Sequence, residues 1–445
     1  MTVEIFTLGG YDEVGRNMTA VKVGHQVIIL DMGFSMEKVA MLEDSTSVFG
    51  EHELITHDVI PDDRPIAHLK NKVSAIVASH GHLDHIGAIP ILGKKYNAPV
   101  LGTPFTTELI LEEAKERGDK LKKVVPLTAG EVFEVGDIAI EFVHTTHSIP
   151  QTIFTAIHTN EGVIFYGSDF KFDNFQALSR RPDYKRLREL GKEGVRCLIA
   201  ECIRADEYKK TPSETVAKEL LRNTLTETMN EDKGIVITSF SSHIERLTSI
   251  LEASRELDRK LIFAGRSLSK YVKVAERIGI KKFPEVEIVG KPDAVKKAFA
   301  EANRNKGDYI IVATGSQGEP TSVLSRIVHD KFDYKLDAGD EVIFSCNTIP
   351  NPTNIENRRR IEEKILSHGA RVFQDVHVSG HAAREDHRDL LNMLQPEHVI
   401  PCHAPTLKQE AYARLALDLN QEYKVDKYTR DNTIHLSQNG KRIEI

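Results

Sequence analysis

Cysteine is scarce and scattered. Cys197, Cys202, Cys346 and Cys402 include no CxxC pair, which argues against a thiolate zinc site and against a disulfide framework. Each reads as a small buried core residue. An excess of positive charge is also missing, because 59 lysines and arginines face 66 aspartates and glutamates for a net charge of −7. That is not the basic footprint of a general nucleic-acid binder, so any contact with RNA or DNA must be local. No apolar run approaches the ~20 residues of a membrane span. The opening MTVEIFTLGG has neither the basic nor the apolar region of a secretory signal. These absences predict a cytoplasmic protein without membrane contact. What is plentiful is histidine, at 19 residues, and histidine is the commonest ligand of borderline metals.

At 445 residues the chain exceeds the size at which one core keeps growing, so two or three domains are expected. Residues 1–170 read as short strands. The arms NMTAVKV and QVIIL flank a tight turn at Gly24 and His25. The segments EVFEVGDIAIEFVHTT, TIFTAIHT and GVIFYGSDF alternate apolar and polar residues around a turn at Asn160 to Gly162. This predicts half-buried antiparallel strands. A helix after Asp84 and another from near Thr103 make the segment layered α+β. From residue 207 the apolar strands GIVITSF, KLIFAG, YIIVAT and EVIFSC alternate with amphipathic stretches, the pattern of a parallel, doubly wound α/β sheet. Its first helix opens at Thr211-Pro212-Ser213-Glu214, read as an N-cap threonine, a proline at the first helical position and a capping-box glutamate. The β-rich pattern returns after residue 365 with RVFQDVHVSG and EHVIPCHA. The expected organisation is therefore a first domain in two parts, 1–206 and 366–445, interrupted by an α/β domain over 207–365.

The densest chemistry lies in Ser79-His80-Gly81-His82-Leu83-Asp84-His85, directly after the apolar strand Ser74 to Ser79. Three imidazoles and a carboxylate leave a rigid strand end in one turn, and Gly81 lets the backbone fold so that they converge. Two metal ions about 3.5 to 4 Å apart need ligands grouped in this way. One loop cannot complete two coordination spheres. His147 after IEFVHTT, Asp169 after GVIFYG and Asp31 after QVIIL stand at other strand ends, and a carboxylate at Asp169 could bridge both ions. His144 and His377 are local rivals of His147 and His381, set aside because they fall inside the preceding strands.

The ordered set Asp31, HGHLDH, His147 and Asp169 resembles the metallo-β-lactamase superfamily. Downstream, Glu201 closing CLIAE, His381 in HVSGHA and His403 in PCHAP resemble motifs A, B and C of the β-CASP nucleases. GGYDEVGRNM, GSQGEP at 315–320 and HVSGHA narrow the resemblance to the RNase J group, over essentially the whole chain. The chain ends without the carboxy-terminal domain of the bacterial members. The archaeal form fits that length, a homodimer is still expected, and the bacterial mode of dimerisation is not carried over.

The resemblance implies a mixed α+β and α/β fold, a metallo-β-lactamase αββα sandwich with an inserted doubly wound β-CASP domain. It places His80, His82 and His147 on one ion and Asp84, His85 and His403 on the other, with Asp169 bridging. Asp31 would orient a ligand of the HGHLDH loop. Glu201 and His381 would form an acid–imidazole pair near the leaving group, with Asp84 also catalytic. The expected cofactor is two zinc ions per chain, with manganese or magnesium as alternatives. Such ions bring the pKa of bound water from 15.7 towards ~7. They also give an acidic protein its positive centre.

Ser379, Gly380 and His381, and Ser316 and Gln317 of the GSQG segment, follow strands and could cradle a phosphate on backbone N–H groups. The HVSGH segment is the better candidate for a 5′-monophosphate. Ser241 and His243 would line the RNA path, although a helix N-cap accounts equally well for the serine. The implied activity is 5′→3′ exonucleolytic decay of single-stranded, 5′-monophosphorylated RNA. The alternatives are a β-CASP endonuclease of the RNA 3′-end processing or DNA-repair type, and a catalytically inactive RNA-binding subunit. A small-molecule metallohydrolase would need neither residues 207–365 nor Glu201.

Overall fold

A computed structural model describes residues 2–41, 49–423 and 433–445. The chain divides into two compact units, one of Met1–Asn174, Ser179–Thr211 and Gly380–Ile445, the other of Phe175–Leu178 and Pro212–Ser379.

The first unit is built on two seven-stranded sheets. One runs in the order Lys441–Glu444, Val3–Gly9, Met18–Val23, Gln26–Leu30, Val73–Val77, Val100–Gly102, Val124–Pro126. The hairpin at Gly24 and His25 joins two of its antiparallel strands. The other runs Thr433–Ile434, His398–Cys402, Val195–Glu201, Gly162–Gly167, Ile153–Thr159, Ile138–His144, Val132–Val135. Strand period two decides what packs where. Ile153, Ile157, Ile164 and Ile199 meet Val21, Ile28, Ala75 and Val77 between the sheets. Phe154, Ala156, Phe165 and Leu198 point the other way, onto Leu187 and Leu190, Leu390 and Leu394, and Leu415. Those leucines lie on the helices Tyr184–Glu193, Arg384–Leu394 and Thr406–Tyr423. Helix Pro104–Arg117 packs on the far side of the first sheet, so the layers are helix, sheet, sheet, helix. Ile138–His144, Ile153–Thr159 and Gly162–Gly167 are therefore buried along most of their length rather than half-buried, because helices cover the face expected to meet water. All four cysteines are buried and free.

The second unit carries one six-stranded, wholly parallel sheet in the order Val286–Val289, Lys260–Ala264, Tyr309–Ala313, Ile235–Thr238, Glu341–Phe344, Arg371–Phe373. Its last strand corrects the sequence reading. RVF was assigned to the resumed β-rich domain, yet it pairs in parallel with Glu341–Phe344, and the unit extends to residue 379 rather than 365. A three-residue strand has too short a pattern to show which sheet it joins.

Two further local readings change. The first helix after the histidine motif is a pair of single turns, Leu83–Ile86 and Ile89–Leu92, and Asp84 and His85 lie inside the first. Helix Glu214–Thr226 is capped by Ser213, whose side chain accepts from the Thr215 N–H, so Thr211 is not its cap. Glu214 is buried and pairs with Arg246 instead of closing a capping box. Among the described residues no helix is long and apolar enough to cross a membrane.

Candidate metal centre

In the first unit Gln26–Leu30 and Val73–Val77 run parallel. In the facing sheet Ile138–His144, Gly162–Gly167, Val195–Glu201 and His398–Cys402 share one direction. Asp31, His80, His147, Asp169, Glu201 and His403 all stand at or just beyond the carboxyl ends of these strands. Asp31 and His403 leave their strands with φ of 57° and 55°, a left-handed turn that costs most residues energy and that a packed surround must hold. The Asp31-Met32-Gly33-Phe34 segment grips the histidine loop through Met32 N–H to His85 O at 2.8 Å and Phe34 N–H to Leu83 O at 2.9 Å. A Cβ on Gly33 would overlap the Asp84 carbonyl, so only glycine permits that approach.

Two groups of donor atoms result: His80, His82, His147 and Asp169, and Asp84, His85 and His403, each within 4.8 Å of one another. Asp169 joins them. Its Oδ2 lies 3.6 Å from His80 Nε2, 3.4 Å from His85 Nε2 and 3.6 Å from His147 Nε2, and its Oδ1 lies 3.5 Å from His403 Nε2. The Asp169 Oδ1 atom is buried and accepts no hydrogen bond. Nitrogen-rich ligation with interspersed carboxylates suits zinc or a similar divalent ion.

Protonation agrees with such a role, since a ligand must offer a lone pair. Burial drives the pKa of His80 and His147 well below the ordinary imidazole value, that of His82 to about 4, and that of His403 downward. Burial opposes ionisation of Asp169, yet His403, His85 and His381 outweigh it and hold the carboxyl well below its usual range. His85 goes the other way, because Asp169, Asp84 and Asp31 together overcome its burial and raise it.

Glu201 is fully buried and His381 is partly open. His381 Nδ1 lies 3.7 Å from Glu201 Oε1 and 3.8 Å from Asp169 Oδ2, ion-pair distances that are long for hydrogen bonds. Burial works against protonating His381, but Asp169 and Glu201 raise its pKa. Its carbonyl accepts from Thr211 Oγ1 at 2.7 Å and Arg204 Nη1 at 3.3 Å. Gly380 O accepts from His147 Nδ1 at 2.7 Å.

The remaining RNA-contact candidates lie in the second unit. Ser316 and Gln317 are buried. The Gln317 amide donates to Asn347 O and accepts from Ile349 N–H, and its own N–H goes to Glu319. The Gln317 side chain thus ties the GSQG loop to the segment of Asn347 and Ile349. His243 is buried with Nε2 3.5 Å from Glu214 Oε2, and it, rather than Ser241, is the N-cap residue of Ile244–Glu256. Ser241 Oγ shares a hydrogen bond with Ser267 Oγ. Ser379 is half-buried at the end of this unit. Several contributors to the centre carry no sequence signal of their own. Asn17 Nδ2 sits 3.1 Å from His85 Nε2, Gly15 N–H 3.1 Å from His403 Nδ1, and Tyr166 and Ser79 hold Asp31.

Comparison with known proteins is decisive for the family. The sequence matches the family model for the metallo-β-lactamase superfamily over residues 11–168, that for the ribonuclease J β-CASP domain over 232–363, and that for the Zn-dependent metallo-hydrolase RNA specificity domain over 369–429. Ribonuclease J of Methanocaldococcus jannaschii is 43% identical, with 99% of this chain and 98% of that protein aligned. The chain belongs to the ribonuclease J family. A second ribonuclease J, from Pyrococcus abyssi, is 42% identical over 100% of this chain and 97% of its own length. Ribonuclease J 1 of Streptococcus pyogenes is 31% identical over 94% of this chain and 71% of that protein. A crystal structure of a protein of unknown function from Enterococcus faecalis shares the fold, with TM-score 0.67, 17% identity and full coverage of both chains. In this ribonuclease J family member the metallo-β-lactamase match spans Asp31, the HGHLDH loop and His147, and the RNA specificity match spans His381 and His403.

Proposed function

We propose that this protein is a ribonuclease that holds two divalent ions, zinc by preference, and removes nucleotides from the 5′ end of monophosphorylated RNA. The observation that carries the reading is Asp169, one carboxylate within 3.6 Å of imidazoles from both donor groups. His80, His82 and His147 would hold one ion and Asp84, His85 and His403 the other, with Asp169 within reach of both groups. When bound, the ions act as Lewis acids that supply hydroxide at neutral pH and offset charge developing on a phosphodiester. The chain's own part is to present imidazoles, those of His80, His82, His147 and His403 kept neutral by burial, and to exclude bulk water around Asp169, which is 2% exposed. Asp31 fixes the ring of His85 through Oδ2 to Nδ1 at 2.8 Å. His381 keeps Nδ1 towards Glu201 and Asp169, and its Nε2 carries the proton that the departing sugar oxygen takes. We assign recognition of the 5′-phosphate to the HVSGH segment and the site of action to the cytoplasm.

The test is digestion of RNA of one sequence in linear 5′-monophosphate, 5′-triphosphate, 5′-hydroxyl and circular forms, with the matching DNA as control. Release of mononucleotides first, from the monophosphate fastest, is expected. Internal fragments from circular RNA at an equal rate would replace this reading with the endonuclease.

A further inference from the structure

Asp31 is fully buried and collects four donors: Ser79 N–H on Oδ1 at 2.8 Å, and Ser79 Oγ, His85 Nδ1 and Tyr166 Oη on Oδ2, each at 2.8 Å. A carboxylate offers about four lone-pair sites and no hydrogen, so every one of these protons points inward to Asp31. Ser79 Oγ has a single hydrogen, and Asp31 takes it. The hydroxyl oxygen must then accept from its other two neighbours, Ser168 Oγ at 2.8 Å and His80 Nδ1 at 3.0 Å. The proton map is closed. His80 carries its hydrogen on Nδ1 and turns the Nε2 lone pair to Asp169, 3.6 Å away. His85 carries its hydrogen on Nδ1 and turns its Nε2 to Asp169 at 3.4 Å and Asp84 at 3.8 Å.

We propose that Ser79 is a positioning residue that relays Asp31 to His80, so that one buried carboxylate fixes the coordinating nitrogen of one imidazole in each donor group. Asp31 reaches His85 directly and His80 only through the Ser79 hydroxyl. The two donor groups are thereby oriented from one point. Ser168 stands behind Ser79 as a donor and does not touch an imidazole in this chain of bonds. The inference rests on the two-ion reading above.

The test measures zinc binding rather than turnover. Stepwise chelator competition on the full-length protein resolves the binding steps, and His82→Ala marks the step that belongs to the His80 group. Ser79→Ala keeps the backbone bond to Asp31 and is expected to weaken that marked step by about 10- to 100-fold, the usual loss when a ligand's hydrogen-bond partner is removed. The other step should stay within about three-fold. Ser79→Thr restores the hydroxyl and the affinity, while Asp31→Asn weakens both steps. Cobalt-loaded protein gives an independent spectroscopic reading of the same site. The relay is overturned if Ser79→Ala binds as wild type, if it weakens both steps equally, or if Ser79→Thr fails to rescue. Wild-type protein that takes up no second ion overturns the two-ion reading itself, and the relay with it.

Discussion

Substituting Gly380 by alanine should loosen zinc at the His147 side of the centre. Gly380 is buried, and a Cβ built there falls 2.7 Å from Ser148 Cβ, 2.7 Å from Ser148 Oγ and 3.0 Å from His147 Cε1. Carbon contacts settle at roughly 3.5–4.0 Å, so the segment must back away by nearly 1 Å or push the imidazole. Either movement strains the 2.7 Å bond from His147 Nδ1 to Gly380 O. Overpacking of this kind costs about 1–3 kcal/mol. If that strain is relieved when His147 lets go of the ion, it converts to a ~5- to 150-fold loss of affinity at one site. Chelator competition measures the affinity directly, and RNA cleavage at limiting and saturating zinc should show a defect that added zinc repairs. Ser148→Gly removes both 2.7 Å contacts, so the double variant should recover most of the loss. Zinc affinity within about two-fold of wild type in Gly380→Ala, or no recovery with Ser148→Gly, would refute the packing argument. A loss of 5′-monophosphate preference with zinc unchanged would instead give Gly380 to the RNA end alone.

Further outcomes are expected. Asp84→Ala combined with His85→Ala should abolish cleavage while the fold survives, and elemental analysis should fall from two ions per chain to at most one; near-normal turnover would exclude this site. His381→Ala should slow single-turnover cleavage by ~100- to 10,000-fold with RNA binding little changed, and a change of a few-fold would return His381 to a structural role. Removing one member of the buried Arg246–Glu214 pair, as in Glu214→Gln, should cost the second unit about 3–5 kcal/mol on a denaturant curve, because Arg246 is left as an uncompensated buried charge. Burial raises the Glu141 carboxyl, but His158 and Arg186 outweigh it and lower it to about 2. Its stabilising contribution is therefore complete above the ordinary carboxylate range and fades as pH falls towards 2. The stability gap between wild type and Glu141→Gln should shrink over that interval, and a constant gap would contradict the assignment.

Much of the centre could be read in the sequence because its residues sit at strand ends, where an apolar run stops at a polar residue. QVIIL stops at Asp31, GVIFYG just before Asp169 and CLIAE at Glu201. Periodicity marks such a boundary without knowing what faces it. The same logic failed where a residue's job depends on a distant partner. Thr211 has the look of a helix cap, but its hydroxyl bonds the His381 carbonyl 170 positions away, and nothing local distinguishes the two. Ser79 and Tyr166 look like the last polar residue of one strand and an ordinary aromatic of another. Their importance arises only when the sheets bring Asp31 between them.

The order in which the chain supplies its parts has a consequence for synthesis. The parallel sheet of the second unit draws all its strands from residues between 235 and 373, so it is complete while the remainder is still being made. The first unit is different. The two sheets around the metal centre receive His398–Cys402, Thr433–Ile434 and Lys441–Glu444 last, the final one pairing with Val3–Gly9. His403, whose side chain completes the second donor group, follows the first of these strands. Domains emerge from the ribosome in order, at roughly 5–20 residues per second. A nascent chain shorter than 403 residues therefore lacks part of the donor set, however well its earlier strands have paired. Synthesis interrupted before His403 yields a chain without the full donor set.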